Sequence, residues 1–173
     1  AINSALNTAA INSTAADTAA EVQAIVNAYA AILASADGFA GNGTAPTRLD
    51  YLQVGVTGLG NPAAVALLGE VIDGKAGSAV DSVTELQALA AAADAVLAYA
   101  TGASVIAPTL DQLRALGLSG LTSGNLVGFL ASLAATADNG TGADSLPELQ
   151  ALVPVFVANN DSLSRDGIGG SSS

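Results

Sequence analysis

Apolar residues recur at helical spacing through most of this chain. The clearest stripe consists of Val22, Ile25, Val26, Tyr29, Ile32 and Leu33. These positions follow the i, i+3, i+4, i+7 rule, so they lie along one face of a helix. A matching stripe consists of Leu86, Leu89, Ala90, Ala93, Val96 and Leu97. No segment has the spacing of a strand, and the pattern therefore predicts an all-α fold.

The two stripes belong to a longer sequence repeat. Glu21-Val-Gln-Ala-Ile-Val recurs as Glu85-Leu-Gln-Ala-Leu-Ala and Glu148-Leu-Gln-Ala-Leu-Val, at spacings of 64 and 63 residues. Further segments recur in the same order at a spacing of 62 residues: Ala45-Pro-Thr as Ala107-Pro-Thr, and Gly55-Val-Thr-Gly-Leu as Gly117-Leu-Ser-Gly-Leu. Matches in a fixed order indicate a repeating unit of about 63 residues.

Capping signals divide each unit into three predicted helices. The first helix begins at a capping box, in which a hydroxyl and a Glu three residues later satisfy each other's backbone amides. These boxes are Thr18-x-x-Glu21, Ser82-x-x-Glu85 and Ser145-x-x-Glu148. The second helix is capped by Thr47 or Thr109, carries Leu49, Leu52 and Val54 in the first unit, and stops at Gly55 or Gly117. The third begins near Asn61-Pro62 or near Ser123.

We therefore predict two tandem three-helix-bundle repeats, residues 17–80 and 81–143, with partial helical units at both ends. Residues 1–16 are interpreted as the third helix of a preceding unit. Residues 144–164 are interpreted as the first helix of a third unit, which Pro154 should kink or end. Residues 165–173 have the composition of a flexible linker.

Composition narrows the classes of function. Acidic residues outnumber basic ones by 15 to 4, and a net charge of −11 disfavours nucleic acid and anionic membrane surfaces as partners. Cys and His are absent, which excludes disulfides, thiolate nucleophiles and Zn–thiolate sites. Met is also absent, so we expect that Ala1 is not the natural start. Residues 1–16 lack the features of a signal peptide. The longest uncharged run, residues 115–137, is interrupted by glycines, so no membrane insertion is predicted.

Catalytic chemistry is poorly represented. A serine or threonine nucleophile needs a base, and the single Lys75 lies in a stretch that we interpret as loop. Two carboxylate pairs, Asp50 with Glu70 and Asp73 with Asp81, are interpreted as caps and solvated faces. We therefore predict no enzyme activity, no catalytic residues and no cofactor.

Two acidic loops carry the kinds of oxygen-bearing side chains that bind calcium ions. They are Asp138–Asp144 and Asn159–Ser162. Neither fits the twelve-residue loop that ends in a bidentate Glu. The corresponding loop of the first unit, Asp73–Asp81, carries Lys75 among the supposed ligands. We predict no metal site.

Glycine-rich segments and tyrosines are also interpreted structurally. Gly58-Leu-Gly60 and Gly38–Gly43 lack the strand and the basic residue that a phosphate loop requires, so we interpret them as turns. Tyr29, Tyr51 and Tyr99 are predicted to be core or half-buried residues rather than a platform for binding a ligand.

The pattern Asp81-Ser-Val-Thr-Glu-Leu-Gln-Ala-Leu, together with Ala-Pro-Thr and Gly-Val-Thr-Gly-Leu, resembles tandem helical modules of very large bacterial surface adhesins. The resemblance covers roughly residues 2–153. It implies a secreted, cell-surface protein, often exported by type I secretion. It also implies that the segment acts as a non-catalytic spacer in cell adhesion or biofilm formation. The partners it implies are neighbouring repeats of the same chain, and it does not give the adhesion target.

Two other functions remain open. One is a host- or polymer-binding helical surface module, comparable in size to albumin- or immunoglobulin-binding modules. The predicted exposed faces are poor in aromatic residues and Arg, the usual binding hot spots. The other is a component of an S-layer or another cell-envelope lattice. A long array of units in the intact protein favours the spacer, and a single pair beside a cell-wall anchor favours a binder.

Overall fold

The chain folds into α-helices joined by short turns. The computed structural model describes residues 1–136 and 139–154. Its helices are α1 (Ile2–Leu6), α2 (Ala19–Ser35), α3 (Arg48–Gln53), α4 (Pro62–Asp73), α5 (Val83–Ala100), α6 (Leu110–Ala115), α7 (Leu126–Ala134) and α8 (Leu146–Ala151). A 3₁₀ turn covers Gly77–Ala79. These residues contain no strand, only an isolated bridge between Asp37 and Ala76. The predicted all-α class is confirmed.

The predicted hydroxyl caps stand at the N-termini of α2, α3, α5, α6 and α8. The Thr18 hydroxyl accepts from the Glu21 amide, and the Glu21 carboxylate accepts from the Thr18 amide at 3.0 Å. The same pair of reciprocal hydrogen bonds forms at the N-termini of α3, α5 and α6, where the capping residues are Thr47, Ser82 and Thr109. At α8 the Ser145 hydroxyl accepts from the amide of Glu148. These caps are worth about 1 kcal/mol each and determine where the helices begin.

Glycine ends α3 and α6, as predicted. Gly55 and Gly117 follow α3 and α6 with φ of 95° and 104°, a conformation that a side chain disfavours. The amide of Val56 then donates to the Tyr51 carbonyl at 2.9 Å, and that of Leu118 donates to the Leu113 carbonyl at 3.3 Å. This bond, spanning five residues, closes the helix end and turns the chain into the next loop.

Two helices begin or end elsewhere than predicted. The helix expected over residues 2–16 is α1, which ends at Leu6. The Asn12 side chain accepts from the amides of Thr14 and Ala15, and this local turn replaces helical pairing. The helix expected near Ser123 begins at Leu126 because the turn before it is held by Asn125.

The core is continuous along the described chain. The whole predicted stripe of α2 is buried or half-buried, and the whole predicted stripe of α5 is buried. Of the apolar residues predicted along α3, Val54 is buried, but Leu49 and Leu52 are 61% and 40% exposed. Tyr51 is the other residue buried here. A helix of six residues buries only one narrow face, and the large Tyr51 ring occupies it.

Packing crosses the predicted boundary at residue 80. Helix α4 packs more extensively on α5 than on α2. Contacts also skip along the chain, since α1 packs on α5 and α4 packs on α8. The core therefore continues from residues 17–80 into the helices that follow.

Helix α5 is, within the described residues, the one that is long and apolar enough to cross a membrane by composition. Its mean hydropathy is 1.2, and 50% of it is buried inside the fold. A buried core helix of a water-soluble protein passes the same test, so this property is weak evidence for insertion.

Candidate functional site

A loop and a glutamine form the first of several polar contacts between distant segments. The 55–59 loop joins α3 to α4, and its Thr57 faces the side chain of Gln87 on α5. The Thr57 amide donates to Gln87 Oε1 at 2.9 Å, and Gln87 Nε2 donates to the Thr57 carbonyl at 3.0 Å. One carboxamide thus satisfies both backbone groups of a single loop residue, in the manner of a neighbouring strand.

The same contact occurs a second time. The 117–121 loop joins α6 to α7, and its Ser119 faces Gln150 on α8. The Ser119 amide donates to Gln150 Oε1 at 3.0 Å, and Gln150 Nε2 donates to the Ser119 carbonyl at 3.1 Å. Both glutamines occupy the third position of the recurring Glu-Leu-Gln-Ala segment, and both loop residues lie between two glycines. The recurring positions therefore make the same bonds.

A second type of long-range bond satisfies the first amide of α5 and of α8. The Val83 amide donates to the Ser4 hydroxyl of α1 at 2.9 Å. The Leu146 amide donates to Glu70 Oε2 of α4 at 2.8 Å. Because a helix N-terminus leaves its first amides without intrahelical partners, a side chain from another helix completes each start. These bonds connect segments 79 and 76 residues apart.

Arginine holds the other end of each loop. Arg48 Nε donates to the Leu59 carbonyl at 2.6 Å, and Arg114 Nη2 donates to the Leu121 carbonyl at 2.8 Å. The two arginines stand at opposite ends of their helices, yet they reach corresponding carbonyls. Each loop is therefore fixed by its own preceding helix at one point and by a later helix at another.

Asp73 holds the segment between α2 and α3. Its side chain is 7% exposed, and it accepts from the amides of Gly41 and Gly43. A Cβ on Gly43 would collide with Asp73 Oδ1, so any other residue here would displace the carboxylate that the Gly43 amide contacts. Charge-assisted bonds to two amides offset part of the cost of burying the carboxylate.

A groove of about 590 Å³ lies beside this aspartate. Its walls include Ala40, Gly43, Glu70, Asp73, Leu146 and Gln150. The groove therefore lies between α4 and α8, bordered by the bond from Leu146 to Glu70. Its lining is mostly apolar, with two carboxylates at one side.

The tyrosines lie in or beside the core, as predicted. Tyr29 is fully buried and donates to the Val80 carbonyl at 3.1 Å. Burial, and then the charges of Asp81 and Glu85, raise the pKa of Tyr29 to about 12. Tyr51 is also fully buried, and its hydroxyl has no hydrogen-bond partner among the described residues. Burial raises the pKa of Tyr51. Tyr99 is half-buried.

The carboxylates singled out in the sequence have separate structural contacts. Asp50 caps α3, Glu70 bonds the start of α8, and Asp73 holds the 41–43 segment. Asp81 is exposed. Lys75 lies in the turn after α4, and its Nζ donates to the Ala115 carbonyl at 2.6 Å. Asp50 and Asp81 fit the interpretation as a cap and a solvated residue, whereas Glu70 and the buried Asp73 accept from backbone amides of distant segments.

The two acidic loops that were compared with calcium sites are described only in part. Asp138 and Asn159–Ser162 lie outside the described residues, as does the linker-like tail. Elsewhere in residues 1–136 and 139–154, no group of three carboxylates could hold a metal ion. The pKa of Asp144 is raised by burial and by its neighbours Glu148 and Glu70.

Sequence reasoning missed Gln87 and Gln150. Their signal was present, because the glutamine is invariant in all three copies of the Glu-x-Gln-Ala segment. Comparisons with models of known protein families, with curated proteins and with solved structures found no match. The contacts within this chain are therefore the basis for assigning it a function.

Proposed function

We propose that this chain is a stack of tandem three-helix units, residues 17–80 and 81–143, with partial units on both sides. The stack serves as a non-catalytic spacer in a large bacterial surface adhesin. The observation that carries the proposal is the bidentate glutamine contact, which recurs at corresponding positions in two places. A contact that recurs with the unit supports a stack that can be extended by adding further units.

The distribution of contacts supports stacking rather than separate beads. The third helix of the first unit, α4, packs on the first helix of the second unit, α5, and also on α8. In repeat proteins each unit is stabilised mainly by its neighbours, because one unit buries too little surface alone. Bonds to the next unit and to the one after it restrict bending at each junction. These contacts support a rigid rod.

The spacer role also accounts for the chemistry of the chain. Several acidic side chains cap helices or hold distant segments, among them Glu21, Asp50 and Asp73, and the polar contacts between segments are largely made to backbone groups. Such a surface suits a secreted, cell-surface protein that holds a binding region away from the cell. The partners of each unit are then its neighbours in the same chain.

A length series tests this proposal. Residues 17–80 are repeated two, four and six times between residues 1–16 and 81–173, and small-angle X-ray scattering gives the maximum dimension. The proposal predicts a linear increase with unit number. A flexible string of beads grows close to the square root of the length instead. A matched series with Gly-Gly-Ser inserted after each Val80 should lose the linear increase.

The groove beside Asp73 favours the second candidate, a ligand-binding surface module. Its volume of about 590 Å³ is in the range of small-molecule sites. Its position between α4 and α8, where two units of the proposed stack meet, instead favours a seam between units. A ligand screen by thermal shift, with Asp73→Asn as the control, distinguishes a binding site from a seam between units.

A further inference from the structure

Helix α2 carries the same glutamine that α5 and α8 use to hold a loop. Gln23 occupies the third position of Glu21-Val-Gln-Ala, as Gln87 and Gln150 do in their copies. Its Nε2 donates to Asn27 Oδ1 on the same helix at 2.9 Å. Gln23 is exposed, whereas Gln87 and Gln150 are partly buried against their loops.

The residues around Gln23 differ in burial from their counterparts in the same way. Val22 and Val26 are half-buried on α2, while their counterparts on α5, Leu86 and Ala90, are 0% and 1% exposed. Ala19 is exposed, while its counterpart Val83 is 4% exposed. One face of α2 is therefore less covered than the same face of α5.

We propose that this face of α2, formed by Ala19, Val22, Gln23 and Val26, is a docking surface for the Gly-apolar-Thr/Ser-Gly-Leu loop of another unit of the same kind. The inference rests on the proposed stack and names the partner that the stack requires at this position. The Gln23 carboxamide turns from Asn27 to the backbone of the Thr or Ser in that loop. The interfaces at Gln87 and Gln150 supply the geometry.

The geometry of the two existing contacts defines the partner chemically. Gly55 and Gly58 have φ of 95° and 85°, and Gly117 and Gly120 have φ of 104° and 74°. A loop with both glycines presents the amide and carbonyl of the residue between them to one carboxamide. The Thr57 hydroxyl lies 3.4 Å from Gln87 Oε1, and the Ser119 hydroxyl lies 3.2 Å from Gln150 Oε1. The partner is thus selected by backbone shape and by a small hydroxyl residue.

An extended chain tests the inference directly. Residues 1–80 are followed by residues 17–173, so that the added Thr57 stands 30 residues before the internal Gln23, the separation of Thr57 from Gln87. Gln23→Ala in the internal copy should lower the melting temperature as Gln87→Ala does, by about 2–6 °C for two neutral hydrogen bonds. In the unextended chain, Gln23→Ala should shift it by less than about 1 °C.

The NMR spectrum of the extended chain gives a second test, which needs no substitution. The carboxamide protons of the internal Gln23 should exchange with solvent as slowly as those of Gln87. If both protons exchange freely and internal Gln23→Ala has no effect while Gln87→Ala still destabilises, the docking surface is wrong and the stack stands. If the added unit melts independently of the rest, the stack itself is wrong.

Discussion

Helices α2 and α5 begin with the same capping box and the same Glu-x-Gln-Ala segment, yet they are stabilised differently. Helix α5 is packed by α1, α4, α6 and α7 and buries small and aliphatic side chains. Helix α2 is covered less completely, and its region has two polar contacts that the described residues of the second unit lack. Tyr29 donates to the Val80 carbonyl, and Asp73 holds the loop that follows α2. The counterpart of Tyr29 in the second unit is Ala93, and α7 ends at Ala134 where α4 ends at Asp73.

Neighbouring segments, rather than local sequence, determine how much of each helix is buried. Val22 and Leu86 hold corresponding positions but differ in burial, and the 55–59 loop binds α5 beside Leu86 through Gln87. The following substitutions test this comparison.

Truncating the buried position should give the largest effect. Leu86→Ala removes a side chain that is fully buried, and it should cost about 2–5 kcal/mol. Val22→Ala, at the corresponding half-buried position, should cost about 1 kcal/mol or less. Urea denaturation of both variants measures the two free energies of unfolding. Equal losses would contradict the difference in burial.

Removing the aspartate that holds the loop after α2 should give the next largest effect. Asp73→Ala leaves the amides of Gly41 and Gly43 without their acceptor, and it should cost about 2–3 kcal/mol. Asp73→Asn keeps one acceptor oxygen and should cost less. Thr136→Ala, just beyond the end of α7, is the control; it removes only a local bond to the Leu133 carbonyl and should cost below about 1 kcal/mol. A loss for Thr136→Ala as large as that for Asp73→Ala would remove the distinction.

Much of the local structure was predictable, whereas the packing was not. The helix starts at Thr18, Thr47, Ser82 and Thr109 and the stops at Gly55 and Gly117 follow from groups a few residues apart. The bonds from Gln87 to Thr57 and from Leu146 to Glu70 join residues 30 and 76 apart, which local patterns do not encode. The exposure of Leu49 and Leu52 was missed because six residues of helix do not define an inward face.

The two buried tyrosines should respond oppositely to loss of their hydroxyls. Tyr29→Phe removes a bond to the Val80 carbonyl and should cost about 1 kcal/mol. Tyr51→Phe removes a hydroxyl that has no partner among the described residues, so stability should stay unchanged or rise by up to about 1 kcal/mol. Thermal denaturation at neutral pH measures both. A larger loss for Tyr51→Phe than for Tyr29→Phe would show that its hydroxyl has a partner.

Acidification should give the smallest effect, at the start of α2. Bonds from Thr18 lower the pKa of Glu21, so its stabilisation is complete above the unfolded pKa and is lost as the pH falls through the folded value. Bonding to Glu21 and its charge raise the pKa of Asp17, which acts in the opposite direction. Carboxyl ¹³C titration should therefore show the pKa of Glu21 below its ordinary value and that of Asp17 above its ordinary value. In the Glu21→Gln variant the acid loss of stability should be smaller.

If each unit depends on its neighbours for stability, one isolated unit should melt at a much lower temperature than the complete chain. Residues 17–82 contain α2, α3 and α4 but lack α5, on which α4 packs more extensively than on α2. The stacked account predicts that this fragment melts more than about 15 °C below the complete chain, or shows no cooperative transition. Equal melting temperatures for the fragment and the complete chain would contradict it.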